Sequence, residues 1–330
     1  MTSPLPSTMR AMTFREPGGP DVLQVAECSL PRPAPNQILA KVTAAGVNGP
    51  DLLQRQGNYP PPEGASELLG LEVSGTVAAV GEGASRWRVG DTICALTHGG
   101  GYAEYVAIDA DHCLPVPDGV SGVDAAGLPE TYFTVWSNVF LGHDVREEAL
   151  MLVHGGAGGI GSTAVQLGVS MGLRVFATVS SADAAEFVLG LGAERAINYR
   201  EEDFVDVCRE AGGADIILDI VGGEYIARNF KAARHDGRII QLAFRTGSRI
   251  EINLMPIMLK RLQYAGSTLR SRPAEFKARI AEELERAVWP KFATGKVRPV
   301  THTVLPLSRA DEAHRLMESG RHRGKILLTP

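Results

Sequence analysis

The chain has 330 residues, 44% hydrophobic and 22% charged, with 33 Lys and Arg against 38 Asp and Glu for a net charge of −5. That length allows about two domains and a core large enough for an enzyme, and the slightly acidic balance excludes the basic footprint of a nucleic-acid binder. No run approaches the roughly 18 apolar residues of a membrane helix, and prolines near the start replace the apolar centre of a signal peptide, so a cytoplasmic protein without nucleic-acid or membrane partners is expected. Cys28, Cys94, Cys113 and Cys208 are scattered without a C-x-x-C pair. They read as thiols in a reducing compartment, with neither a disulfide framework nor a thiolate zinc knot.

Residues 1 to about 125 are dense in glycine, proline and short β-branched runs. Strands are expected at 37–43, 73–80, 92–96 and 102–108, with turns at Gly81-Glu82-Gly83 and Gly99-Gly100-Gly101, as in an antiparallel, partly barrel-like β domain. From about Asp124 helices alternate with short apolar strands at 149–154, 173–179, 196–198, 215–220, 237–243 and 262–267. That alternation predicts βαβ units and a parallel sheet covered on both faces. Residues 272–293 read as one amphipathic packing helix with Phe276, Ile280, Leu284, Ala287 and Val288 on its apolar face. A strand at 302–307, a helix capped by Ser308 and a strand at 325–328 complete the chain. The expected fold class is α/β: a doubly wound parallel sheet of the Rossmann type at 127–269, inserted in a β-rich substrate domain made of 1–126 and 270–330.

The strand at 149–154 runs into Gly155-Gly156-Ala157-Gly158-Gly159-Ile160-Gly161 and then an apolar helix, which places G-x-G-x-x-G at Gly156, Gly158 and Gly161. In that context Gly156 permits the tight turn, Gly158 lets a pyrophosphate approach the backbone, and Gly161 lets helix and strand pack closely. Free N–H groups and the positive end of the helix then hold the phosphates. An acidic residue about twenty positions on would bind the 2′-hydroxyl of NAD, but the chain reads Thr178-Val179-Ser180-Ser181. The missing carboxylate leaves room for a 2′-phosphate and favours NADPH. Asp183 weighs the other way, and the nearest candidate cation is Arg200.

Several further stretches carry a resemblance: Ala44-Ala45-Gly46-Val47-Asn48-Gly49-Pro50-Asp51, Gly57-Asn58-Tyr59-Pro60, Gly70-Leu71-Glu72-Val73, Val89-Gly90-Asp91, Gly99-Gly100-Gly101-Tyr102-Ala103-Glu104 and Thr268-Leu269-Arg270-Ser271. With the glycine turn they make the chain similar, over nearly its whole length, to the zinc-independent quinone oxidoreductase (zeta-crystallin-like) branch of the medium-chain dehydrogenase/reductase superfamily, nearest its p53-inducible members. The resemblance implies a GroES-like substrate domain around the Rossmann domain, an active site in the cleft between them, and a homodimer paired through the edge strand at 262–267. It also implies that Gly156, Ala157, Gly158, Gly159, Ile160 and Gly161 hold the pyrophosphate and that Ser180, Ser181 and Tyr199 flank the 2′-phosphate. Ala243, Phe244 and Arg245 would line the nicotinamide ribose, Leu269 and Arg270 would meet the nicotinamide through backbone, and Asn48, Asp51 and Thr134 would lie near it. Leu53 departs from the tyrosine of many quinone reductases, which implies a different substrate wall.

Zinc-dependent relatives carry a Cys at the position of Asn48, a His at Leu71 and a four-cysteine lobe after the Gly99 region, all missing here. The eight histidines show no H-x-x-E-H or H-x₃₋₅-H spacing, so no metal is expected. Without a Lewis acid the chemistry left is hydride delivery from NADPH to an acceptor that is already electrophilic, a quinone or, as the alternative, an enone or enoyl thioester. Tyr59 is the catalytic candidate, since a phenol can hydrogen-bond the acceptor oxygen and supply a proton; an aromatic lid against the following prolines is the competing reading. Asn48 and Asp51 orient substrate or cap the helix near Pro50, and Glu72 pairs with Arg245 or another buried cation. A nucleotide-binding protein with incidental redox activity is the rival from another class, and the lack of a basic, aromatic stripe argues against RNA.

Overall fold

The computed structural model describes residues 5–330, which form two units, one of residues up to Phe133 with Arg270–Pro330 and one of Thr134–Leu269. In chain order the first unit contributes β1 (Thr8–Thr13), β2 (Gln24–Ser29), β3 (Gln37–Gly46), β4 (Glu72–Val80), β5 (Thr92–Leu96), β6 (Tyr105–Asp109) and β7 (Cys113–Pro115). The second unit contributes β8 (Leu150–Val153), β9 (Arg174–Val179), β10 (Arg195–Asn198), β11 (Ala214–Asp219), β12 (Ala233–Gln241) and β13 (Gln263–Gly266). The chain then returns to the first unit for β14 (Thr301–Pro306) and β15 (Lys325–Thr329).

In the first unit β1 and β2 pair by themselves, and the main sheet runs β14-β15-β3-β4-β5-β7 with β6 also on β3. The ten-residue β3 pairs antiparallel with β15, β4 and β6. Its inward Ile38, Ala40 and Val42 join Val73, Val77, Ile93, Val106, Ile108, Ile326 and Leu328 in one core. Each such valine, leucine or isoleucine side chain contributes about 1.5–3 kcal/mol on burial.

The second unit is a six-stranded parallel sheet in the order β10-β9-β8-β11-β12-β13. Numbered from β8, that is 3-2-1-4-5-6, the Rossmann order, in which ligands bind beyond the carboxyl ends of the strands where the order reverses. All four residues of β8 are buried, as a strand covered on both faces requires. β13 lies at the sheet edge with all four residues exposed.

Three sequence expectations change in detail. The single helix expected over 272–293 is two, Ala274–Ala287 and Trp289–Ala293, because Pro290 has no N–H to give and its ring clashes with the preceding turn. Ser308 does not cap the last helix. It sits inside a 3₁₀ turn, Leu307–Arg309, and the helix Ala310–Ser319 follows Arg309 without a side-chain cap. The strand expected from Tyr102 begins at Tyr105; Tyr102 is enclosed, with its N–H given to Leu69 O.

Candidate active site

In the second unit the glycine turn joins β8 to the helix Gly159–Ser170, whose first residue follows Gly158 in extended conformation with no side-chain cap. The leading N–H groups of that helix therefore lack side-chain acceptors, as a phosphate cradle requires. A Cβ on Gly156 would stand 2.7 Å from Ala177 Cβ, and one on Gly161 would stand 2.2 Å from Gly155 O. Gly158 has nothing nearer than 3.6 Å. Gly156 and Gly161 thus permit close packing and Gly158 leaves its backbone open, while the left-handed turn residue is Gly155, at φ 68°, and not Gly156, to which the motif gave the tight turn. Ala157, Gly159 and Ile160 are half-buried on the same turn.

Beyond β9, Ser180 is half-buried, and Ser181 begins the helix Ala182–Leu189 by accepting from Ala184 N at 3.2 Å, which leaves its O–H free to donate. Tyr199, after β10, is exposed, as is Arg200. These polar groups and a cation stand at the strand ends with no carboxylate at Ser180 or Ser181, a donor set that fits an adenosine 2′-phosphate. Behind them His154 is held between Thr178 Oγ1 at 3.1 Å and Asn229 Oδ1 at 2.7 Å. Asn229 in turn donates to Asp219 at 2.8 Å. Burial pushes His154 down, so it packs as a neutral ring at a strand end. Ala243 is half-buried, with its carbonyl accepting from Gln241 Nε2, while Phe244 and Arg245 are exposed beyond β12. Thr134 is half-buried, and its carbonyl accepts from Asn138 at 2.8 Å.

In the first unit a buried polar network surrounds Lys325, the first residue of β15. Its ammonium donates to Asn48 Oδ1 at 2.5 Å, Glu72 Oε1 at 2.7 Å and Val47 O at 3.2 Å, which uses all three of its donors. Asn48 Nδ2 closes the ring on Glu72 Oε1 at 2.9 Å, and Glu130 N donates to Glu72 Oε2 at 2.9 Å. Glu72 therefore pairs with Lys325 and not with Arg245. Glu130 stands at the start of the helix Pro129–Val139, with its carboxyl pushed up to about 8 by burial and then by the Glu72 carboxylate. It is a neutral acid at pH 7.

Asp51 needs correction as a cofactor contact. It is fully enclosed and accepts from Asn48 N at 2.9 Å, Gly70 N at 3.0 Å and Tyr102 Oη at 3.3 Å. Its carboxylate fastens the start of the helix Gly49–Arg55 to the Gly70 turn and has no face free for a ligand. Burial pushes it up to about 6 against those hydrogen bonds. Asn48 is likewise engaged through both ends of its amide.

Tyr59 is half-buried, with the Arg270 guanidinium 5.8 Å from its ring centroid. Burial, then Glu130, push the phenol up, so it stays protonated at neutral pH. Arg270 is buried and donates to Gln54 Oε1 at 2.7 Å and His98 O at 3.0 Å, while Leu269 beside it is half-buried. Leu53, at the position of the family tyrosine, is exposed. Glu130 and Lys325 escaped sequence reasoning. The one available signal was a lysine opening a strand of otherwise apolar, inward residues, Lys325-Ile326-Leu327-Leu328.

Two family models match the chain: an alcohol dehydrogenase GroES-like domain over residues 34–118 and a zinc-binding dehydrogenase over residues 191–328. A quinone oxidoreductase of Rattus norvegicus is 32% identical over 327 residues, covering 97% of each chain. The crystal structure of Escherichia coli quinone oxidoreductase complexed with NADPH is similar with a TM-score of 0.84 at 28% identity, over 97% of this chain and 100% of its own. The CurK enoyl reductase is similar with a TM-score of 0.85 at 26% identity, over 97% of this chain and 99% of its own.

Proposed function

The chain belongs to the quinone oxidoreductase family of the medium-chain dehydrogenase/reductase superfamily, and on that premise we propose that this oxidoreductase transfers hydride from NADPH to a quinone without a catalytic metal. The observation that supports this reading is the Lys325 ammonium, held at 2.5 Å from Asn48 and 2.7 Å from Glu72. It supplies a positive charge at Asn48, the position of the missing Cys of the zinc-dependent relatives, and at Glu72, the residue after the missing His. A metal brought there would meet a fixed cation in place of a thiolate and an imidazole. An acceptor that needs no Lewis acid follows, and a quinone is one.

NADPH supplies the hydride when bound; the chain's residues hold it and steer the proton. The glycine turn and the first N–H groups of the helix Gly159–Ser170 take the pyrophosphate, in keeping with the E. coli relative's complex with NADPH. Ser180, Ser181, Tyr199 and Arg200 take the 2′-phosphate. Ala243, Phe244 and Arg245 line the ribose, and Thr134, Leu269 and Arg270 lie toward the nicotinamide. Tyr59, with its phenol kept neutral, donates to the acceptor oxygen and supplies the proton as the charge develops.

The likeness to an enoyl reductase and the same phenol favour a second reading, reduction of an enone or enoyl-thioester double bond. Turnover of Tyr59→Phe with the two substrate classes separates them. A proton donor is worth about 10²–10⁴-fold, so a loss of that size with enoyl substrates and little loss with quinones assigns the double-bond reductase. If the folded, NADPH-binding protein oxidises NADPH with no ortho- or para-quinone, the quinone reading fails.

The proposal extends to a homodimer. β13 is an unpaired parallel edge, and the neighbouring helix Met255–Lys260 exposes Met255, Met258 and Leu259, each more than half accessible. An apolar patch beside an open edge is a surface that association covers. Sedimentation velocity at low micromolar concentration is expected to give a dimer; a monomer alone refutes it.

A further inference from the structure

Away from the Lys325 network, the fold gathers a second polar cluster from residues 98–112 of the first unit. Asp109 ends β6, His112 closes the 3₁₀ turn Ala110–His112, and His98 follows β5. Asp109 Oδ2 lies 3.3 Å from His98 Nε2 and 3.4 Å from His112 Nδ1. One ligand atom from each of the three falls within 4.8 Å of the others. Tetrahedral coordination with bonds of about 2.0–2.2 Å sets donor atoms roughly 3.3–3.6 Å apart, so both edges through Asp109 already have the span of a metal site.

The surroundings orient these atoms as outer-shell partners orient metal ligands. His112 is 1% exposed, and its Nε2 faces the Ala274 carbonyl at 3.1 Å. That carbonyl can only accept, which places the ring proton on Nε2 and turns the Nδ1 lone pair toward Asp109. Nδ1 is buried without a hydrogen-bond partner. Gln37 Nε2 donates to the other carboxylate oxygen, Oδ1, at 3.0 Å and leaves Oδ2 to face the two rings. A buried lone pair opposite a carboxylate oxygen is costly unless a proton or a metal cation lies between them. The cavity beside the cluster, about 650 Å³ and lined by His98, Asp109, Gln37 and Arg270, gives an ion its path in. We propose that His98, Asp109 and His112 bind a divalent first-row transition metal, zinc foremost, since two imidazoles and one carboxylate are the donor set that ion accepts. The site ties β6, the loop after β5 and, through Ala274, the start of the helix Ala274–Ala287. Its competitor is Lys277, whose Nζ stands 3.3 Å from His98 Nδ1 and donates to Arg270 O at 2.9 Å.

Cobalt(II) titration of metal-stripped protein tests this, with visible d–d absorption as the readout and NADPH binding and circular dichroism as controls for folding. One equivalent of cobalt is expected to give the absorption and zinc to displace it. His98→Gln changes a side chain that is 33% exposed, so the fold tolerates it, and cobalt affinity is expected to fall about 100-fold or more. Gln37→Leu, which touches no metal, is expected to weaken binding about 10- to 100-fold. Lys277→Met removes the competing charge and is expected to tighten it. Absorption that His98→Gln leaves unchanged, or no absorption in either the parent or Lys277→Met, overturns the proposal.

Discussion

Replacing Lys325 by Met removes the ammonium and keeps the length and the apolar stem. It leaves the Glu72 carboxylate, fully buried, facing the Asn48 amide and the Glu130 N–H without a counter-charge. Breaking a buried ion pair from one side costs about 3–5 kcal/mol, because the remaining charge has lost its partner and cannot recover its water. In a unit of this size about 1 kcal/mol lowers the melting temperature by roughly 2–4 °C, so Lys325→Met is expected to melt about 6–20 °C below the parent. Glu72→Gln in the same chain removes the stranded charge and keeps a donor and acceptor for Asn48. The double variant is expected to be more stable than Lys325→Met alone, a coupling that thermal melts and urea titrations of the four proteins measure directly. Loss of less than about 1 kcal/mol in Lys325→Met, or a double variant that falls further, refutes the view that this pair carries the centre of the first unit.

Two other predictions concern the raised carboxyls and the cofactor. Glu130, raised from its ordinary 4.5 to about 8, and Asp51, raised from 3.8 to about 6, keep protons in the folded protein that the unfolded chain releases. Their contribution is full below the unfolded values and is lost as pH rises through the folded ones, so the part of the stability these two groups carry falls from about pH 3.8 to above pH 8. Glu130→Gln is expected to flatten the upper part of that decline in urea titrations at stepped pH; an unchanged slope contradicts the assignment. Ser180→Asp puts a carboxylate where the 2′-phosphate is proposed to bind. It is expected to shift the ratio of NADPH to NADH affinity toward NADH by about tenfold or more, roughly 1.4 kcal/mol, and an unaltered ratio in direct binding measurements counts against the site.

The sequence by itself determined the second unit closely. Apolar strands alternating with helices and a glycine turn after the first of them are local patterns, and local sterics decide them: a Cβ at Gly161 has no room beside the Gly155 carbonyl. The family motifs likewise marked Asn48, Glu72 and Tyr59 as residues of interest. What these residues do was decided by tertiary structure. Lys325 reaches Asn48 across 277 positions, and Tyr102 reaches His314 across 212. No periodicity or spacing encodes such a pairing, because it depends on β15 returning to the edge of β3. His98, Asp109 and His112 lie within 15 residues, but they meet only because the loop after β5 and the turn after β6 approach each other, and for Asp51 burial decided between the ligand contact and the helix cap that the sequence left open. Local chemistry selects the element, but the charges a buried group faces are set only when distant strands close the core around it.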